Sequence, residues 1–129
     1  MAIAKGAPFH GEFSSADATA LTEPNSRVLL YVAGTTTAIT LLATDFVCIT
    51  DIVIVCASGM VVTLYDGADT TVGAGEVIVK GTFGANGGVS QTGLLTPHYC
   101  QVGTWPKIKS TVGAQVDCYL HGTINSGTL

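Results

Sequence analysis

Charge is what this sequence has least of. Asp, Glu, Lys and Arg make up 11% of its residues while apolar residues make up 47%; a typical soluble domain carries about 25% charged residues. So few charges leave Thr, Ser, Gly and apolar side chains to cover the surface, which points to a surface that meets other protein as well as water. The 5 Lys and Arg residues form no run, and only Lys107 and Lys109 stand close together. No basic footprint for phosphates is built, so no nucleic-acid partner is expected. The net charge of −4 on a Thr- and Gly-rich chain also disfavours an anionic membrane.

Long apolar runs are missing too. Residues 1–25 hold His10, Glu12, Asp17 and Glu23 and no continuous apolar core of a leader, so no secretory signal is expected. The greasiest stretch, residues 46–57, is interrupted by Thr50 and Asp51 and is too short to span a bilayer. The expectation is a soluble product made in the cytosol.

The 4 cysteines, Cys48, Cys56, Cys100 and Cys118, include no CxxC pair, which excludes zinc-ribbon and thioredoxin readings. Reducing conditions favour buried thiols that behave as small hydrophobes; disulfides formed after release from a cell are the alternative. Cys48 and Cys56 would share one face of a regular strand, too far apart to bond. The sequence contains no P-loop, dinucleotide glycine pattern, HExxH or GxSxG. His98 and Cys100 alternate, and with Cys118 and His121 they would approach a metal-ligand set if their strands were neighbours. Strand parity, however, puts Cys118 and His121 on opposite faces. A Cys100–His121 nucleophilic pair lacks an orienting group and an oxyanion hole. Asp66 and Asp69 read as turn formers, since the further oxygen ligands of a calcium loop are missing. No catalytic residue, cofactor or metal ligand is therefore assigned, and the chain is read as not an enzyme.

What is present is strand-forming sequence. A chain of 129 residues is one domain. Residues 1–25 have no clean period and end in a turn signal, Glu23-Pro24-Asn25-Ser26, so they read as an extended N-terminal arm. Residues 26–129 read as a single β-sandwich domain. Strands are expected at residues 27–33, 36–42, 46–57, 60–65, 76–83, 89–95, 99–103, 106–112 and 115–124, with no helical period between them. The run at 46–57 is apolar on both faces and reads as a central strand covered on both sides. Ser58-Gly59 and Asn86-Gly87 read as hairpin turns. Residues 106–112 place Ile108 inward and Lys107 and Lys109 outward, and residues 115–124 alternate cleanly with Val116, Cys118, Leu120 and Ile124 inward. The fold expected is all-β, two packed antiparallel sheets, with a jelly roll as one topology. Asp51 in the greasiest strand needs either a partner, for which Arg27 is a candidate, or a bulge that takes it to solvent. Trp105 reads as a plug at one end of the core, with a sugar platform as the alternative.

The order of Val62-Thr63-Leu64-Tyr65-Asp66-Gly67-Ala68-Asp69-Thr70, Gly81-Thr82-Phe83, Ala85-Asn86-Gly87-Gly88-Val89, Thr96-Pro97 and Gly122-Thr123-Ile124 resembles the capsid decoration, or cement, proteins of tailed bacteriophages. The likeness covers about residues 45–124 and leaves out residues 1–25 and the cysteines. It implies a structural protein on the outer surface of the virion, bound to the major capsid protein and to itself as a trimer or dimer. Such a protein braces the shell and needs no titrating residue. A carbohydrate-binding sandwich of a head or tail fibre, using Trp105, Tyr99 or Tyr119, is the alternative. A small hydrolase built on a Cys–His pair is a third and weaker reading.

Overall fold

A computed structural model of the chain describes residues 6–19, 25–66, 77–93 and 97–126. The described residues are all strand, turn and irregular backbone. The strands are β1 (Ala7–Ser15), β2 (Leu29–Val32), β3 (Asp45–Cys56), β4 (Met60–Tyr65), β5 (Val77–Phe83), β6 (Gly88–Gln91), β7 (His98–Tyr99), β8 (Lys107–Ser110) and β9 (Val116–Ser126). A 6-stranded antiparallel sheet runs β2-β1-β9-β3-β6, with β7 also on β3, and a 3-stranded sheet runs β5-β4-β8. The two sheets pack face to face over one core.

The connectivity is more specific than a generic sandwich. Before β2, residues 26–28 join the free edge of β8, through Val28 N–H to the Pro106 carbonyl and Ile108 N–H to the Ser26 carbonyl. One continuous segment thus leaves the small sheet and enters the large one. Counting it, the small sheet reads residues 26–28-β8-β4-β5 opposite the large sheet's β2-β1-β9-β3-β6. The chain crosses between the sheets from β3 to β4, β5 to β6, β7 to β8 and β8 to β9, as in a jelly roll.

The core is written in the alternation of the long strands. Val116, Cys118 and Leu120 of β9 and Val62 and Leu64 of β4 point between the sheets and are fully buried. β3 cannot alternate uninterrupted, because its register against β9 shifts between Ile49 and Asp51. Val47 and Ile49 face the core before this bulge, and Ile52, Ile54 and Cys56 face it after. The extra residue therefore puts Cys48 and Cys56 on opposite faces, against the shared face expected of a regular strand. It also brings Asp51 to a half-buried outer position, where its carboxylate accepts bonds from Thr50 Oγ1 (3.0 Å) and Gly93 N–H (2.6 Å).

Several expectations are corrected. Ala7–Ser15 is not an arm: β1 is hydrogen-bonded on both sides, and Phe9 and Phe13 enter the core. The rest of the expected arm at residues 1–5 and 20–24 lies outside the described residues, as does Asp69. Residues 36–42 form no strand but an irregular run beside β2, with Ile39 and Leu41 packed on the core. Ser58-Gly59 and Asn86-Gly87 do turn the chain, but each passes it from one sheet to the other. β3 is central as expected, yet its outer face is covered only in the first half: Phe46 and Cys48 are buried, while Val55 is 43% exposed. Lys107 is buried, not outward, beside Tyr65 on a covered face of the small sheet.

Candidate functional site

Three places carry chemistry. The first is the outer face of the large sheet. Cross-strand pairing sets Tyr31, His10, His121 and Asp51 in one row, and Leu29, Glu12, Tyr119, Val53 and Ser90 in the next. The His10 and Tyr31 rings stack at 5.3 Å. Leu29 on the edge strand β2, Tyr119 on β9 and Val55 near the end of β3 are exposed on this face. Two carboxylates on this face, Asp51 and Asp117, are already hydrogen-bonded within the chain. Glu12 lies 3.7 Å from His10. Asp117 accepts from Ser14 Oγ (2.6 Å) and Gln115 Nε2 (2.8 Å), and Asp51 from Thr50 and Gly93. A carboxylate so engaged costs less to cover than one that must give up water.

The second is a cleft of about 390 Å³ lined by Glu12, Phe13, Ser14, Ser15, Asn25, Arg27, Leu29 and Trp105. The Arg27 guanidinium sits over the Trp105 ring at 4.8 Å. Trp105 is half-buried and packs on the core, as the plug reading expects, and one ring face is occupied by a cation. Tyr99, expected as another platform residue, pairs with Cys48 at the end of the large sheet, beside Phe46. Tyr119 is four residues from Thr123, the position on β9 level with Cys48, which is roughly 13 Å along the strand. The three aromatic side chains do not form one platform.

The third lies between the sheets at one end. Asp66 follows β4 directly, and His98 of β7 and Cys100 just after it flank Tyr99 on the inner side. One ligand atom of each falls within 4.8 Å of the others. His98 Nε2 is 3.8 Å from Asp66 Oδ2, which also accepts the Gln101 N–H at 3.0 Å. The four cysteines are free and buried. Burial pushes the Cys100 thiol far up, with the Asp66 carboxylate and Cys48 adding to it and Lys107 opposing. Burial alone pushes Cys118 up to about 12.

The structure separates the other pairs weighed from sequence. Cys100 is in the core whereas His121 is exposed on the outer face, so no Cys100–His121 pair forms. Cys118 and His121 take opposite faces, as parity requires. β7 and β9 are not neighbours, because β3 runs between them. Sequence reasoning did notice His98 and Cys100 but assigned Asp66 to a turn. Only the jelly-roll crossing brings the end of β4 to the edge of the other sheet.

No helix among the described residues is long and apolar enough to cross a membrane. Comparison of the chain with protein-family models, with curated proteins and with solved structures finds no match.

Proposed function

We propose that this protein is a structural component of a virion that attaches to the outside of a capsid shell and braces it. The observation that carries the reading is the outer face of the large sheet. There, exposed Leu29, Val55 and Tyr119 share the face with Asp51 and Asp117, whose carboxylates are already hydrogen-bonded within the chain. Such a face loses little on leaving water and gains apolar contact. The low charge of the chain supports it, and so does its likeness to capsid decoration proteins. Jelly rolls recur in capsid and lectin domains, which is an argument from analogy of fold. The partners in this reading are the major capsid protein and further copies of the chain. Symmetric copies on a shell sum many weak contacts into firm attachment.

The test is to quantify the chain against the major capsid protein in purified particles. Hundreds of copies on the shell surface are expected. A few copies at the tail or one vertex would overturn decoration in favour of a fibre role.

The cleft beside Trp105 favours a second reading, a carbohydrate-binding module. Its Glu12 and Asn25 are hydrogen-bonding residue types of the kind a sugar site uses, next to an aromatic ring. Glycan-array binding that is lost in Trp105→Ala is the outcome this reading requires.

A further inference from the structure

We propose that Asp66, His98 and Cys100 form a site for one divalent ion of the zinc class. Three observations converge on it. The donor set combines a carboxylate, an imidazole and a thiol, the mixture of O, N and S ligands that a borderline ion such as Zn²⁺ accepts. One ligand atom of each lies within 4.8 Å of the others. Tetrahedral zinc, with bonds of about 2.0–2.3 Å, holds its ligand atoms roughly 3.3–3.6 Å apart. The 3.8 Å between His98 Nε2 and Asp66 Oδ2 is close to that span already.

The third observation is the unmet polar capacity at this spot. Asp66 is 3% exposed, and its Oδ1 has no hydrogen-bond partner among the described residues. His98 Nε2 is likewise buried and makes no hydrogen bond. Buried polar atoms are nearly always satisfied, so two orphans on adjacent groups call for a ligand that satisfies both. A cation bound by the carboxylate and the imidazole would do so. A nucleophilic relay would be built differently, with the two imidazole nitrogens facing opposite partners. Here one nitrogen, the carboxylate oxygen and the sulfur meet. A bound metal also deprotonates its thiol outright.

The placement gives the ion a structural task. Asp66 directly follows β4 of the small sheet, and His98 and Cys100 lie in and just after β7 at the edge of the large one. Among the described residues, Asp66 reaches this edge through the Gln101 N–H bond and its 3.8 Å approach to His98. A metal here would tie the two sheets together where β4 leaves the sandwich. This inference is independent of what the outer face binds.

The test uses the full chain, reduced and stripped with a chelator, then titrated with Co²⁺. One equivalent should bind and produce a thiolate-to-cobalt charge-transfer band in the near ultraviolet, and Zn²⁺ should displace it. Saturating Zn²⁺ should raise the unfolding midpoint by roughly 5 °C or more. His98→Gln and Asp66→Asn should each weaken binding at least about tenfold. Cys100→Ala should abolish the band, and Cys118→Ala, in the core outside the cluster, should keep it. Because Cys100→Ala removes a core side chain, the half-exposed His98→Gln carries the decision if that variant does not fold. Absence of the band in the unaltered chain, or unchanged affinity in His98→Gln, would overturn the site. Cys100 would then be a protonated core thiol.

Discussion

Gly122 of β9 stands opposite Ile49, one residue before the β3 bulge. A Cβ there would run into the Cys48 carbonyl, and it would lie 2.9 Å from the Phe9 ring. Both obstacles are fixed, one by the ladder and one by the core. Gly122→Ala should therefore cost roughly 2–4 kcal/mol, read as a lower urea midpoint. Gly84 has nothing within 4 Å of its would-be Cβ, so Gly84→Ala should stay within about 0.5 kcal/mol. Alternation makes a second residue-scale contrast. Ile54 is 1% exposed and Val55 is 43% exposed. Ile54→Lys buries an unpaired ammonium at a cost of several kcal/mol, a large part of a total stability of about 5–15 kcal/mol, and should abolish cooperative unfolding. Val55→Lys should fold.

The thiols add a pH dependence at the same scale. In the metal-free chain, Cys118 is raised from the ordinary thiol value of 9.0 to about 12, and Cys100 moves in the same direction. Above pH 9 the unfolded chain loses these protons while the folded chain keeps them. Stability is thus fully present below about pH 9 and falls as pH rises toward about 12. Urea midpoints measured from pH 8 to 11 should decline, and the decline should lessen in Cys118→Ala. A flat profile would mean that the thiols titrate alike in both states.

At the scale of the element, β1 is where sequence reading failed, and the failure has a physical origin. Its inward positions are Phe9, Gly11 and Phe13. The period of two is there, but its middle member has no side chain, and Pro8 and the flanking small residues read as a terminus. Gly11 is needed because Val28 fills its place: a Cβ would come within 2.9 Å of Val28 Cγ1. That contact belongs to tertiary structure and leaves no local trace. Deleting residues 1–15 should therefore abolish the β fold by circular dichroism, whereas a dispensable arm would leave it intact. Phe9→Ala, a milder form of the same test, should cost about 3–5 kcal/mol. The turns teach a related lesson. Asn86 does take a positive φ of 59° and Gly87 N–H does bond back to the Gly84 carbonyl, so the turn was legible. A turn reverses the chain without choosing the next ladder, and in a jelly roll that choice belongs to the facing sheet. The same gap hid Asp66, whose neighbours arrive from a strand on the other side of the core. β9, by contrast, was readable because its inward residues alternate without a break as far as Leu120 and it lies in one sheet throughout.

For the whole molecule, the scarcity of charge is the feature that folding alone does not require. A jelly roll buries its core whatever its outer faces carry, so exposed Leu29, Val55 and Tyr119 on one face are free to serve another purpose. If that purpose is attachment to a capsid shell, charge placed there should act on binding and leave folding alone. Val55→Lys and Tyr119→Asp should keep the unfolding midpoint of the unaltered chain within about 1 kcal/mol. Each should lower occupancy on shells lacking the protein, measured by rebinding and gel quantification. Loss should be steep in the double variant, because every copy on a symmetric shell carries the same defect and small penalties per contact multiply across the assembly. Lys109→Glu, exposed on the small sheet, should rebind fully if the large sheet faces the shell. Should Lys109→Glu fail to rebind while the large-sheet variants bind normally, the small sheet would be the attachment surface and the exposed apolar residues of the large sheet would need another partner.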